Sequence, residues 1–393
     1  MEKIVAFHEL NYKEKVTVMA EVPGVVTVMG AFSDFCDGYC LAGTGALGLR
    51  VALSPRDDMV VRVYDATRGD KKRFNLTVLK HRKEDRWANC VKGVFHAIAA
   101  RGVKFPHGFD MTFKGALLYC DDLTVTASVV MGTILALDKA LGLGLGRDER
   151  IHMAYNVATS FCKVPVRFRD LVTVSYAEKG RLLYFDLQNG TFELVDYPFQ
   201  YEEGGDGPYS LIVDPSLPPQ ILREELEEKR IDARACCRVL KSRLPQESSL
   251  RSYPVKDLRN HTIVELDEHV RHTCQFVLSE TQLVVRGRKA IQEADASLFG
   301  KCLSDVYLGM RDVFDVMCPE VDWLIRRAGE LDHIYGASYV SNGASGSILM
   351  ILDRKGEEAL SALADDYKHF FDFQMKKRFF RPGGVAHVVD EIG

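Results

Sequence analysis

Four short runs of this chain carry side chains able to do chemistry. In Pro165-Val166-Arg167-Phe168-Arg169-Asp170-Leu171, a carboxylate is flanked by two cations. Taken alone this reads as an ion pair, worth about 1 kcal/mol or less if exposed. Asp121 and Asp122 precede a long apolar run over 125–137, with hydroxyls at Thr124, Thr126 and Ser128. Asp122 is the expected N-cap of that helix, its carboxylate taking the N–H donors that an anion at the helix N-terminus would need. Asp34 lies between Gly30 and Gly38 and two β-rich runs, the pattern of a hairpin turn. Gly343 and Gly346 sit among small residues between two further strands, again a tight turn.

The elements that must hold these runs are also legible. Residues 16–20, 25–29, 41–53 and 60–64 are β-rich, with the turn cluster Ser54-Pro55-Arg56-Asp57-Asp58 before the last of them. Trp87, Val91, Val94, Phe95 and Ile98 recur at helical spacing and predict an amphipathic helix ending near Gly102. A strand at 109–113 leads to the apolar helix starting near Leu123, then a helix at 148–162 and strands at 171–176 and 182–186. The polar, glycine-rich run 202–208 is expected to be a domain boundary or an exposed hairpin, and taken as a boundary it places domains at 1–200 and 201–393. Beyond it helices are expected at 219–243, 261–294, 319–331 and 356–371, with strands at 336–340, 347–352 and 385–389. The expected class is α+β in two domains with a cleft between them.

Composition narrows the function. Lys plus Arg number 51 against 55 acidic residues, a net charge of −4, which excludes a generally basic nucleic-acid binder. With 47% hydrophobic and 27% charged residues the chain can bury a sizeable core. The run 125–137 is too short to span a bilayer and reads as a buried helix, so no membrane partner is expected. The first eight residues lack the apolar stretch of a secretory signal. Ten cysteines, two of them adjacent at Cys236 and Cys237, suit scattered reduced thiols in a cytoplasmic protein.

Pro23-Gly24-Val25-Val26-Thr27-Val28-Met29-Gly30-Ala31-Phe32-Ser33-Asp34-Phe35 resembles the opening motif of galactokinases, P-G-R-V-N-L-I-G-E-H-T-D-Y. Gly115 to Ser128 falls where that family has its phosphate loop, G-A-G-L-S-S-S-A-A. Gly336 to Ser347 aligns with G-A-R-M-T-G-G-G-F-G-G-C. The stretch 299–322, with Met310-Arg311-Asp312 and Cys318-Pro319-Glu320, and the close at 379–386 are similar to the family in the same order. The chain is therefore identified as a divergent, galactokinase-like member of the GHMP small-molecule kinases. That resemblance implies their fold, an N-terminal α+β domain and a C-terminal ferredoxin-like half with ligands in the cleft between.

It also implies roles. Asp170 falls on the aspartate of P-C-G-I-M-D-Q, which orients or deprotonates the sugar's anomeric hydroxyl while Mg·ATP supplies the phosphoryl group. Arg167 replaces a family glycine and is expected to pair with Asp170. Asp34 and Phe32 fall on sugar-contacting positions, and Asp122, Thr124, Thr126, Gly343 and Ser345 on nucleotide positions, with Thr126 nearest the metal. The departures act in one direction. Val25, Ala31 and Phe32 replace arginine, glutamate and histidine, and the tyrosine of the family's Y-N-x-R-R pattern is absent around Leu226. Each carboxylate of Asp121 and Asp122 would repel a phosphate charge by about 4 kcal/mol at close range with an effective dielectric of about 20. The expectation is weak or lost sugar phosphotransfer and a binding or regulatory role, with a sugar as ligand. The alternative is an active sugar-1-kinase using ATP and Mg2+. Neither a protein partner nor an oligomeric state is indicated.

Overall fold

The computed structural model describes residues 2–117, 120–218, 221–243, 250–259 and 266–391. Leu118 and Tyr119 of the second motif, and the starts expected for helices at 219 and 261, lie outside them. The chain divides into two compact units. One comprises Met1–Val25, Thr44–Ala177 and Gly384–Gly393; the other comprises Val26–Gly43 and Glu178–Gly383. Neither is one continuous stretch.

The first unit contains α1 (Glu2–Tyr12), most of β1 (Val18–Met29) and β2 (Tyr39–Pro55), β3 (Val60–Asp65), β4 (Asp70–Asn75), α2 (Ala88–Ala100), β5 (Phe109–Gly115), α3 (Asp122–Leu141), α4 (Arg147–Asn156) and α5 (Phe168–Tyr176). Its strands run in the order β1-β2-β5-β3-β4, and near the C-terminus His387–Val388 pairs outside β1. Alternation along β3 turns Val61 and Val63 inward, the period-2 pattern of a half-buried strand. The helix α3 packs against α2, α4 and α5. It is twenty residues, about 30 Å at 1.5 Å per residue, and by length and composition could cross a bilayer. The apolar run 125–137 lies inside this longer helix, which the cap at Asp121 and the left-handed Gly142 extend at either end. Its Ile134, Leu135 and Leu137 are buried inside the unit, as a core helix requires.

One correction concerns 171–176, expected as a strand. Leu171, Val172 and Val174 look β-like, yet they form α5, whose buried face includes Arg169, Asp170, Leu171 and Val174. Tertiary packing overrides a weak local preference here. The helix expected over 148–162 is α4 followed by a π-turn, Val157–Phe161.

The second unit contains β6 (Arg181–Asp186), β7 (Thr191–Asp196), β8 (Tyr209–Asp214), α6 (Arg223–Arg243), α7 (Val255–Arg259), α8 (Glu268–Gln292), α9 (Ala296–Asp312), α10 (Pro319–Gly329), β9 (Ile334–Tyr339), β10 (Ile348–Leu352), α11 (Arg354–Phe371) and β11 (Lys376–Phe379). Strands β11-β8-β10-β9 form an antiparallel sheet. Fourth, first, third, second, with helices between β8 and β9 and between β10 and β11, is the ferredoxin-like order expected for the C-terminal half. Gly300 on α9 and Gly336 on β9 meet backbone to backbone, and a Cβ on either would strike the other's chain. Cys236 on α6 and Cys274 on α8 form a disulfide, so the expectation of reduced thiols throughout is corrected at that pair.

Candidate functional site

In the first unit the chemistry gathers where α3 begins. Asp121, not Asp122, is the N-cap: its Oδ1 accepts from the Thr124 backbone N–H at 2.9 Å. The cap thus falls one residue earlier than expected, because Asp121 has the extended backbone a cap requires and Asp122 is already helical. From the residue preceding α5, Arg167 reaches into the same place. Its Nη1 and Nη2 donate to the two oxygens of Asp121, both at 2.9 Å, in a bidentate fork. Its Nε donates to Asp170 Oδ2 at 3.1 Å and its Nη2 to Thr124 Oγ1 at 2.8 Å. The Thr124 hydroxyl in turn donates to Asp170 Oδ2 at 2.7 Å. Arg169 lies 3.5 Å from Asp170 Oδ1.

The pairing of Arg167 with Asp170 expected from the sequence is present, and it extends to Asp121. Asp121 is 4% exposed and Asp170 1%. Buried carboxylates of this kind persist only when paired, and the fork supplies the pairing. Burial, with the charges of Asp121 and Asp170 beside it, pushes the Cys120 thiol far above its usual range.

This turn does not fit a triphosphate. The Thr124 N–H is already bonded to the Asp121 carboxylate, and the Arg167 guanidinium is bonded to that same carboxylate and to Asp170. An entering phosphate would have to displace Asp121 from Arg167 or lie against it. Asp122 and Thr126 are partly exposed on the first two turns of α3, and Thr126 makes no side-chain hydrogen bond among the described residues. No group of three or more His, Cys, Asp or Glu side chains able to hold a metal ion occurs among the described residues.

In the second unit, Asp34 is exposed on the short helical turn Ser33–Phe35. Phe32 is 3% exposed and packs edge-on against Phe314 and Phe276, with ring centroids 4.7 and 5.8 Å away. A histidine there would have to bury its polar ring nitrogens in this aromatic core. The backbone N–H groups of Ala31 and Phe32 donate to the buried carboxylate of Glu280 at 3.0 and 3.1 Å. Glu280, on α8, belongs to none of the sequence motifs and had no signal beyond being an acidic residue in a largely apolar helical stretch. Ser33 is fully buried, and its hydroxyl has no hydrogen-bond partner among the described residues.

Gly343 and Ser345 lie in the loop between β9 and β10. Gly343 has φ +84°, a conformation that favours glycine. The loop is fixed to β1 by two bonds: Ser341 N–H to the Thr27 carbonyl at 2.9 Å, and Thr27 N–H to the Ser341 hydroxyl at 3.2 Å. The Ser345 hydroxyl accepts from the Ser347 N–H at 3.3 Å. The structure therefore gathers Arg167, Asp170 and Thr124 in one unit, with Asp122 and Thr126 on the same helix. It places Phe32, Asp34, Gly343 and Ser345 in the other.

No family model matches the chain. It is 22% identical over 379 residues to a putative galactokinase of Treponema pallidum (strain Nichols), covering 95% of this chain and 93% of that one. It is 23% identical over 367 residues to a galactokinase of Clostridium perfringens (strain ATCC 13124), covering 93% of each. Among solved structures, Lactococcus lactis galactokinase complexed with galactose superposes with a TM-score of 0.84 at 18% identity, covering 98% of both chains. The mevalonate kinase of Methanococcus jannaschii superposes with a TM-score of 0.63 at 15% identity, covering 92% of this chain and 98% of its own. The fold is that of the GHMP kinases. In sequence the chain is similar to galactokinases over nearly its whole length.

Proposed function

We propose that this galactokinase-like chain is a pseudoenzyme that binds a small sugar-like ligand in a binding or regulatory role, with weak or no phosphotransfer. The observation that carries the reading is the closed set Asp121–Arg167–Asp170–Thr124. In it the expected phosphate position is occupied by a carboxylate, and the expected base is bonded to an arginine and a threonine. Asp170 would orient or deprotonate a sugar hydroxyl only after exchanging those bonds. The absence of an arginine at Val25 and the apolar setting of Phe32 point the same way. A sugar ligand is supported by the galactose bound to the Lactococcus lactis protein and by an exposed Asp34, whose carboxylate can accept from hydroxyls. A cytoplasmic location accompanies this reading, by likeness to galactokinases.

A second reading, an active sugar-1-kinase using ATP and Mg2+, is favoured by the retention of Asp170, Asp34, Thr126 and the Gly343 turn. In that case Thr126 would lie beside the metal, and Asp122, Thr124, Gly343 and Ser345 beside the nucleotide. Two assays on the purified protein separate the readings: titration with galactose in the absence of nucleotide, and phosphate transfer from Mg·ATP to galactose. Sugar binding with transfer at or near background supports the proposal. Robust transfer overturns it.

A further inference from the structure

The short turn that carries Asp34 is gripped from two sides within the second unit. On one side stands α8. Its Glu280 carboxylate accepts from the Ala31 and Phe32 backbone N–H groups, and its Thr281 hydroxyl lies 3.2 Å from the Cys36 thiol. A Cβ on Gly38 would strike that same hydroxyl. On the other side stands α6. The Cys237 thiol donates to the Phe35 carbonyl, and Lys241 Nζ lies 3.8 Å from the Asp37 carboxylate. The disulfide between Cys236 and Cys274 joins the two helices. A void of about 10 Å³ is walled by Phe35 and Cys36 of the turn together with Cys236, Cys237 and Val277, so the bond and the turn share one junction.

Two features suit this bond to opening and closing. The other eight cysteines are free thiols, and a single disulfide among reduced thiols is usually a transient or redox-sensing one where the compartment keeps thiols reduced. The helix α6 is also lightly seated: of its 21 residues, Leu226, Ala233, Cys236 and Leu240 are the buried ones.

We propose that the Cys236–Cys274 disulfide is a redox clamp on the Asp34 turn, opened by a small dithiol. Closed, it holds α6 against α8 and keeps the turn between them. Opened, it frees α6 and with it the contacts to Phe35 and Asp37. The step balances. One thiolate of the dithiol attacks the sulfur of Cys236, which is 4% exposed against 0% for Cys274, and Cys274 leaves as a thiolate that takes up a proton. The dithiol's second thiolate, its proton lost to solvent, then attacks the dithiol's own sulfur in the mixed disulfide. A ring closes, and Cys236 leaves as a thiolate that is protonated in turn. The protein gains two electrons and two protons, and the dithiol loses both. Because both sulfurs are buried, the reaction waits on a local lifting of α6 and is slow. An effect on ligand affinity rests on the reading of Asp34 as a sugar contact; the clamping of the turn does not.

The test compares the protein as isolated with protein held in dithiothreitol until mass mapping shows Cys236 and Cys274 both alkylated. Hydrogen exchange is followed in peptides covering 31–38, with Ile348–Leu352 as the reference within the same unit. The proposal expects exchange in the turn to quicken severalfold on reduction while the reference strand stays unchanged. Unchanged exchange in the turn would overturn it. So would alkylation of both cysteines before any reductant is added, or a bond that dithiothreitol leaves intact under native conditions. A Cys274→Ala protein should show the fast turn without reductant; if it misfolds, the wild-type comparison decides alone. Galactose titration of both forms reads the consequence, with the dissociation constant expected to rise severalfold on reduction. Equal affinity despite a loosened turn would overturn the regulatory role. An absence of galactose binding in both forms would count against the sugar reading, and the exchange result would still decide the clamp.

Discussion

At the scale of single residues, Arg167 carries most of the local electrostatics. It bonds two buried carboxylates and a hydroxyl at once, so removing it takes the bidentate fork from Asp121 and leaves Asp170 with Arg169 at 3.5 Å and the Thr124 hydroxyl. Breaking a buried pair by deleting one partner costs about 3–5 kcal/mol. Arg167→Ala should therefore lower the unfolding free energy by about that amount in urea denaturation. Arg167→Lys, which keeps the charge but loses the planar fork, should recover only part of it. A change below about 1 kcal/mol for Arg167→Ala would mean that the network is too solvated to matter. The sequence placed Arg167 beside Asp170 correctly but did not reveal the bond to Asp121, 46 positions away. No spacing rule reports a contact between a loop before one helix and the cap of another. Choosing between two adjacent aspartates as the cap needed the backbone angles, since both residue types serve equally.

At the scale of elements, α1 is anchored to the sheet by a buried histidine. His8 is bonded through Nδ1 and Nε2 to Thr112 and Ser54, each at 2.9 Å. Burial pushes its pKa down from 6.5 to about 4; the Asp110 carboxylate resists that shift, and Arg62 adds to it. The folded protein thus holds His8 neutral while the unfolded chain protonates it below about pH 6.5. Stability from this site is full above pH 6.5 and is lost as pH falls toward 4. Between pH 7 and pH 5 the loss should be about 2 kcal/mol. Paired denaturation curves for wild type and His8→Gln would measure it: the variant should lose less stability over that interval, and parallel losses would remove His8 as the cause. The contact between α9 and β9 gives a second expectation. Gly300→Ala places a methyl group into the Tyr335 backbone and should cost about 1–3 kcal/mol. An unchanged melting temperature would show that the two elements can separate freely.

Much of this level was legible in the chain. Periodicity located α2, α3, α10 and α11 and the strands around the glycine turns, because long amphipathic or apolar runs carry strong signals. It mistook α5 for a strand, since a nine-residue helix rich in valine and threonine has the local composition of one. The N-terminal helix α1 was missed altogether, its mixed polar and apolar residues giving little periodicity.

At the scale of the whole molecule, the proposed loss of phosphotransfer depends on Asp121 standing where the resemblance to galactokinases puts a phosphate. If the carboxylates at the start of α3 are the obstacle, Asp121→Gly combined with Asp122→Gly should strengthen nucleotide binding measurably above wild type. No gain would point instead to a loop that cannot take up a phosphate-binding shape. The most direct measurement is isothermal titration of the unmodified protein with Mg·ATP. The prediction is no saturable heat at micromolar nucleotide, because Asp121 already holds both the helix N-terminus and the arginine. A well-defined micromolar isotherm would contradict it.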